Sequence, residues 1–221
     1  MMDLQETLKD ITTQFRMGMN GVTSKSMRDK GLDYKLNFGV EVPRLKEIAA
    51  RYAKDHQLAQ ALWKENIRES KILAAMLQPV DTFYPEIAEI WVEDMHYPEL
   101  AELTCQHLFQ YLPYASEKAF EWIADEREYF AACGYLILAR LFTRHQALSE
   151  RSANEYLDQV VAALQSGTPF VRRCAYASLL KYVQQGQDAG KKALAALAPL
   201  QESADETLRN LYEEVKLETE G

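Results

Sequence analysis

Phe130–Arg140 reads FAACGYLILAR, and Val171–Lys181 reads VRRCAYASLLK. Aligned from their first residues, both place cysteine fourth (Cys133, Cys174) and an apolar residue seventh (Leu136, Ala177). Two earlier stretches fall into the same register. Ile67–Leu77, IRESKILAAML, has Ser70 fourth and Leu73 seventh; Glu102–Leu112, ELTCQHLFQYL, has Cys105 and Leu108 there. The four starts are separated by 35, 28 and 41 residues, and a further helix-forming segment lies between each pair. Each stretch has the spacing of an amphipathic helix. Each repeat is therefore read as a helical hairpin, which must stack on its neighbours to cover its apolar face.

The spacing is that of HEAT-type arrays. The expected fold is all-α, a right-handed α-α superhelix of about five or six HEAT-like hairpins. No Gly/Ser linker interrupts residues 1–221, so a single domain is expected. Helix signals cover nearly the whole chain. Asp3 is placed as a cap with Glu6 in the capping-box position, and Pro43 belongs in a helical first turn. Further helices are expected near 43–54, 56–64, 66–77, 81–94, 97–111, 114–124, 127–143, 150–165, 169–185, 188–198 and 204–218. Residues 32–42 are read as a loop.

Composition removes several function classes. Apolar residues make up 48% of the chain, enough to build a core rather than a disordered segment. No apolar run is long enough to span a bilayer, and the N-terminus lacks the apolar core of a signal peptide. The three cysteines include no C-x-x-C pair, so free thiols in a reducing cytoplasm are expected. At the repeated fourth position their expected role is close helix packing. Trp63, Trp91 and Trp122 are likewise expected in the core. His56, His96, His107 and His145 form no i, i+4 pair, and no metal site or cofactor is expected. Gly186–Gly190 is read as a helix–helix turn and not as a phosphate loop. A net charge of −8 argues against indiscriminate nucleic-acid binding, but not against basic residues gathered on one face.

Three stretches carry a family resemblance. Ser26–Ala53 contains Phe38-Gly39-Val40 followed by Pro43-Arg44; Leu58–Leu77 contains Leu62-Trp63, Arg68-Glu69 and Ala74-Ala75; Phe170–Tyr182 reads FVRRCAYASLLKY. Together they resemble the bacterial DNA alkylation repair enzymes of the AlkD type. The resemblance implies cleavage of the N-glycosidic bond of N3- or N7-methylated purines in DNA. In that chemistry a carboxylate stabilises an oxocarbenium-like sugar, aromatic faces hold the cationic base, and a basic concave surface holds phosphates. The matching acidic stretch is His96–Glu102. There Tyr97 and Pro98 replace the family's tryptophans, and Glu99 and Glu102 replace its acids. A later family tryptophan falls at Ala177, with Tyr176 beside it, and a family arginine falls near Ala131 or Ala132.

The residues add their own weight. Glu102 occupies the slot that Ile67, Phe130 and Val171 fill with apolar side chains, and such local inconsistencies favour function. A solvated helix residue is the alternative. Glu99 follows Pro98 in a first turn, where an acid suits the helix dipole. Arg173, Ala177 and Lys181 form an i, i+4, i+8 stripe with Arg172 adjacent, and Arg140 and Arg144 form a pair on the preceding second helix. Lys25, Arg28, Lys30 and Lys35 cluster near the N-terminal loop. Ordinary solvated faces would look the same. The leading expectation is duplex-DNA binding, with Glu102 and Glu99 as candidate catalytic carboxylates and Tyr97 and Tyr176 as aromatic base contacts. Arg140, Arg144, Arg172, Arg173 and Lys181 are the candidate phosphate contacts. The alternatives are DNA binding without catalysis and a non-catalytic scaffold for a protein partner. A cytoplasmic location is expected from the missing export signal, and a monomer by analogy with other solenoids of this length.

Overall fold

The computed structural model describes residues 3–220. Among them run thirteen α-helices: α1 (Leu4–Met17), α2 (Gly21–Asp29), α3 (Val42–Ala49), α4 (His56–Lys64), α5 (Arg68–Leu77), α6 (Pro85–Glu93), α7 (Pro98–His107), α8 (Ala115–Ile123), α9 (Glu128–Thr143), α10 (Glu150–Ser166), α11 (Pro169–Val183), α12 (Gln187–Gln201) and α13 (Glu206–Glu220). Short 3-10 turns cover Val80–Thr82 and Phe109–Tyr111. Extended pairing among the described residues is confined to one parallel bridge, Leu36 with Ile67. The chain is all-α, and no described helix is long and apolar enough to cross a membrane.

Helix ends follow local chemistry. Asp55, Ser149 and Thr168 cap α4, α10 and α11 by accepting from the backbone N–H three residues on. The Glu6 carboxylate accepts from the Asp3 N–H at 3.4 Å, closing the expected capping box. Four helices differ from the sequence expectation. The one expected over 81–94 starts only at Pro85, after the 3-10 turn at Val80–Thr82, since the residue before a proline is kept out of the helical region. The helix expected over 43–54 stops at Ala49, where Arg51 and Tyr52 donate three residues back and tighten the last turn. The one expected over 97–111 breaks at Leu108, whose φ of −131° leaves the helical region. The one expected over 188–198 instead runs through Pro199 to Gln201, since a proline this close to the end removes few bonds.

The chain divides into two compact units. The first comprises residues up to Glu89 together with His107–Leu112. Its central helix is α5, buried at all ten positions even though four of them are Arg68, Glu69, Ser70 and Lys71. The polar groups are satisfied. Glu69 accepts from the backbone N–H of Phe38 at 3.1 Å and of Val40 at 3.2 Å. Arg68 donates to the Val40 carbonyl at 2.9 Å and to Glu69 at 3.0 Å. Lys71 donates to the Trp63 carbonyl at 3.0 Å and lies 4.7 Å from the Trp63 ring centre. The Arg-Glu pair therefore clamps the Phe-Gly-Val loop onto α5. Gly39 in that loop has φ of +69°, and a Cβ there would meet the Asn20 carbonyl at 2.3 Å. Only glycine fits.

The second unit comprises Ile90–Gln106 and the chain from Pro113 onward. Here α9 packs on α8 and α11. Phe142, Tyr156 and Tyr182 form a ring triangle with centroids 5.2–5.4 Å apart, and the Tyr156 hydroxyl bonds Ser178 at 2.7 Å. Gly134 brings α9 onto α8, where a Cβ would lie 2.7 Å from Ile123 backbone. In both units the fourth repeat position is buried, at Ser70, Cys105, Cys133 and Cys174, and all three thiols are free. The seventh position is less regular: Leu73 and Leu108 are buried, Leu136 is half-buried and Ala177 is exposed.

Candidate nucleic-acid interface

The N-terminal halves of α7, α9 and α11 assemble one polar and aromatic face in the second unit. Glu102, in the middle of α7, is half-buried, and its Oε1 accepts from Nη2 of Arg173 on α11 at 2.7 Å. The Arg173 guanidinium lies 5.3 Å from the ring centre of Phe170, one turn earlier. Phe170 in turn meets Tyr129 of α9, with centroids 5.6 Å apart. The Thr168 hydroxyl that caps α11 also donates to the Glu128 carboxylate. Burial pushes the Tyr129 hydroxyl up to about 12, and the charges of Glu128 and Tyr97 add to the effect. Tyr97 stands at the entrance to α7. Its carbonyl accepts from Leu100 at 3.1 Å and so opens the helix that presents Glu99 and Glu102.

Of the sequence candidates, Glu102 and Arg173 come together here, and Tyr97 precedes the helix that carries Glu102. Glu99 is half-buried in the first turn of α7. Tyr176 faces another way: its hydroxyl donates to the Glu214 carboxylate of α13, and burial followed by that bond pushes its pKa up. Arg172 turns back to the Gln165 carbonyl at 2.9 Å and closes the α10–α11 junction, leaving the exposed stripe to Arg173, Ala177 and Lys181. Lys181 donates to Gln184 at 2.9 Å, and Gln184 donates to Glu218 at 2.8 Å. The carboxylates of α13 therefore border the C-terminal half of the stripe. On α9, Arg140 is half-buried and Arg144, just past the helix end, is exposed.

Sequence reasoning missed Tyr129, Phe170, Thr168 and Glu128. One signal was available: the position just before the repeat start is aromatic in both later repeats, as Tyr129 and Phe170. Both side chains sit at the surface of the helix starts, half-buried, and pair across α9 and α11. The arrangement offers aromatic faces, a charge-compensated carboxylate and an adjacent basic stripe. These groups suit stacking and phosphate contact.

No curated protein sequence matches the chain. Among solved structures it is similar to a member of a family related to the HEAT-like repeat DNA glycosylases with affinity for branched DNA structures. The identity is 17%, over 89% of this chain and 83% of that one, with a TM-score of 0.78. It is also similar to Cex1p, at 12% identity over 98% of this chain and 44% of that one, with a TM-score of 0.51. The first likeness identifies the fold as HEAT-like. The model of the DNA alkylation repair enzymes matches residues 11–210, nearly the whole chain, and the protein belongs to that family.

Proposed function

We propose that this protein binds DNA through the face formed by the starts of α7, α9 and α11, without excising alkylated bases. The observation that carries the reading is the Glu102–Arg173 pair at 2.7 Å. Excision needs a carboxylate whose charge is available to an oxocarbenium-like sugar. Here that charge is already compensated by a guanidinium, and Pro98 stands where the family has an aromatic side chain. The remaining groups suit a binding role: Arg173 with Lys181 for phosphates, and Tyr97, Tyr129 and Phe170 for bases or sugars. The affinity of the structural relative for branched DNA makes branched substrates a natural choice beside continuous duplex.

The test pairs two assays. Wild type is titrated with duplex and four-way-junction DNA across a salt series, and methylated DNA is assayed for released purine. Salt-sensitive binding with no released base supports the proposal, with a slope that becomes shallower by about one unit for each phosphate contact removed. Released 3-methyladenine or 7-methylguanine that disappears in Glu102→Gln restores the glycosylase reading, in which Glu102 is the catalytic carboxylate. Absence of binding at low salt returns the chain to a scaffold for a protein partner.

A further inference from the structure

A different surface, in the first unit, carries an inference that rests on the DNA-binding reading. The turn joining α1 and α2 exposes three large apolar side chains within six residues: Met17 (72% exposed), Met19 (62%) and Val22 (82%). Helix α2 is itself nearly bare, with Ser24 its only buried residue. It is held by polar contacts, since the Ser24 hydroxyl donates to the Asn37 carbonyl at 2.6 Å while Arg28 donates to that hydroxyl at 2.9 Å. A helix gains most of its stability from covering an apolar face, and α2 covers almost none within the chain. An open cleft of about 410 Å³ beside the turn is lined by Met19, Gly39, Glu41 and Arg44.

The charge around this surface departs from the rest of the molecule. From Arg16 to Lys46 inclusive there are seven Lys or Arg against three Asp or Glu, whereas the chain as a whole carries −8; Lys25 pairs with Asp29 and Arg44 with Glu47, each at 2.6 Å. Exposed apolar side chains inside a basic surround are complementary to nucleic acid whose bases are unstacked. Phosphates meet the cations, and base faces meet the methionines.

We propose that the α1–α2 turn is a second DNA contact, at which Met17, Met19 and Val22 pack against unstacked bases while Arg16 and Lys30 hold the flanking phosphates. The turn thereby selects DNA with interrupted stacking, such as junctions and bulges, over continuous duplex.

The experiment measures affinity for a four-way junction, a bulged duplex and a continuous duplex with wild type and with Met17→Ser/Met19→Ser/Val22→Ser. All three positions are exposed, and circular dichroism confirms that the variant folds. The expected result is that the preference of wild type for interrupted DNA falls about fivefold or more in the variant, while duplex affinity changes little. A preference that survives the triple substitution overturns the assignment and leaves the α7–α9–α11 face as the DNA contact. So does the absence of any preference in wild type that binds duplex. If wild type binds none of the three at low salt, the DNA-binding reading fails and this proposal fails with it. Arg16→Ala/Lys30→Ala supplies an independent check: its salt slope is expected to be shallower on all three DNAs, and an unchanged slope removes these cations from the contact.

Discussion

Glu102 and Arg173 lie 71 residues apart in sequence and meet at 2.7 Å across α7 and α11. The pair is partly solvated on both sides, so its contribution to stability is small. Its importance is chemical: each partner sets how much charge the other shows to a ligand. Glu102→Gln is expected to tighten duplex binding about threefold at low salt, because one carboxylate leaves the phosphate path and Arg173 is released to it. Arg173→Ala is expected to weaken binding and to make the salt slope shallower. A catalytic carboxylate predicts a different outcome for Glu102→Gln, in which base release is lost at unchanged affinity, so fluorescence anisotropy beside a base-release assay separates the two.

The carboxylates of α13 hold the other end of the stripe. Tyr176 donates to Glu214, and Gln184 donates to Glu218. Glu214→Gln/Glu218→Gln is expected to raise DNA affinity at low salt, with the gain disappearing as screening shortens the reach of these charges. An unchanged affinity at every salt concentration would place phosphates away from this half of α11.

In the first unit, Glu69 is fully buried and accepts from Phe38 and Val40 while it pairs with Arg68. Glu69→Ala leaves two buried backbone donors without their acceptor and takes away a carboxylate to which the buried Arg68 guanidinium donates. The expected cost is about 3 kcal/mol or more, read by urea denaturation. Gly39→Ala is expected to be comparably damaging, for backbone and steric reasons together: positive φ, and a Cβ 2.3 Å from the Asn20 carbonyl. A mild effect of either would mean that the loop is not held as a clamp.

Alkaline pH tests the tyrosine core of the second unit. Burial pushes the hydroxyls of Tyr135 and Tyr156 above their ordinary value of 10.0. The native state therefore keeps protons that the unfolded chain releases. This contribution is fully present below pH 10 and is lost as pH rises from there through the native pKa values. Thermal melts are expected to hold steady up to that pH and then fall, with phenolate absorbance appearing together with unfolding. Ionisation of all the tyrosines in a still-folded protein would contradict the burial.

The cysteines give a simpler readout. Cys105, Cys133 and Cys174 are buried, burial pushes the Cys105 thiol well up, and Cys174 is pushed up to about 12. None is expected to react with a maleimide in the native state, and all three should react in denaturant. Labelling of folded protein would place at least one thiol at the surface.

The sequence by itself determined the helices and the repeat. The four aligned stretches became α5, α7, α9 and α11, and the shared fourth position is buried in each. Helical periodicity and small residues at one register are local signals, legible because each reports the packing of its own helix. Glu102 stood out for the same reason, as an acid in an apolar slot. Its partner was not legible, because an ion pair between residues 71 positions apart depends on how α7 and α11 are brought together by packing on α9. Tertiary structure also sorted Arg172 from Arg173, adjacent in sequence but turned 100° apart on the helix: one closes a helix junction and the other meets Glu102. It likewise turned the Arg68-Glu69 pair inward as a loop clamp. Composition specifies which charges a chain carries, and only packing decides which of them are already neutralised before a ligand arrives.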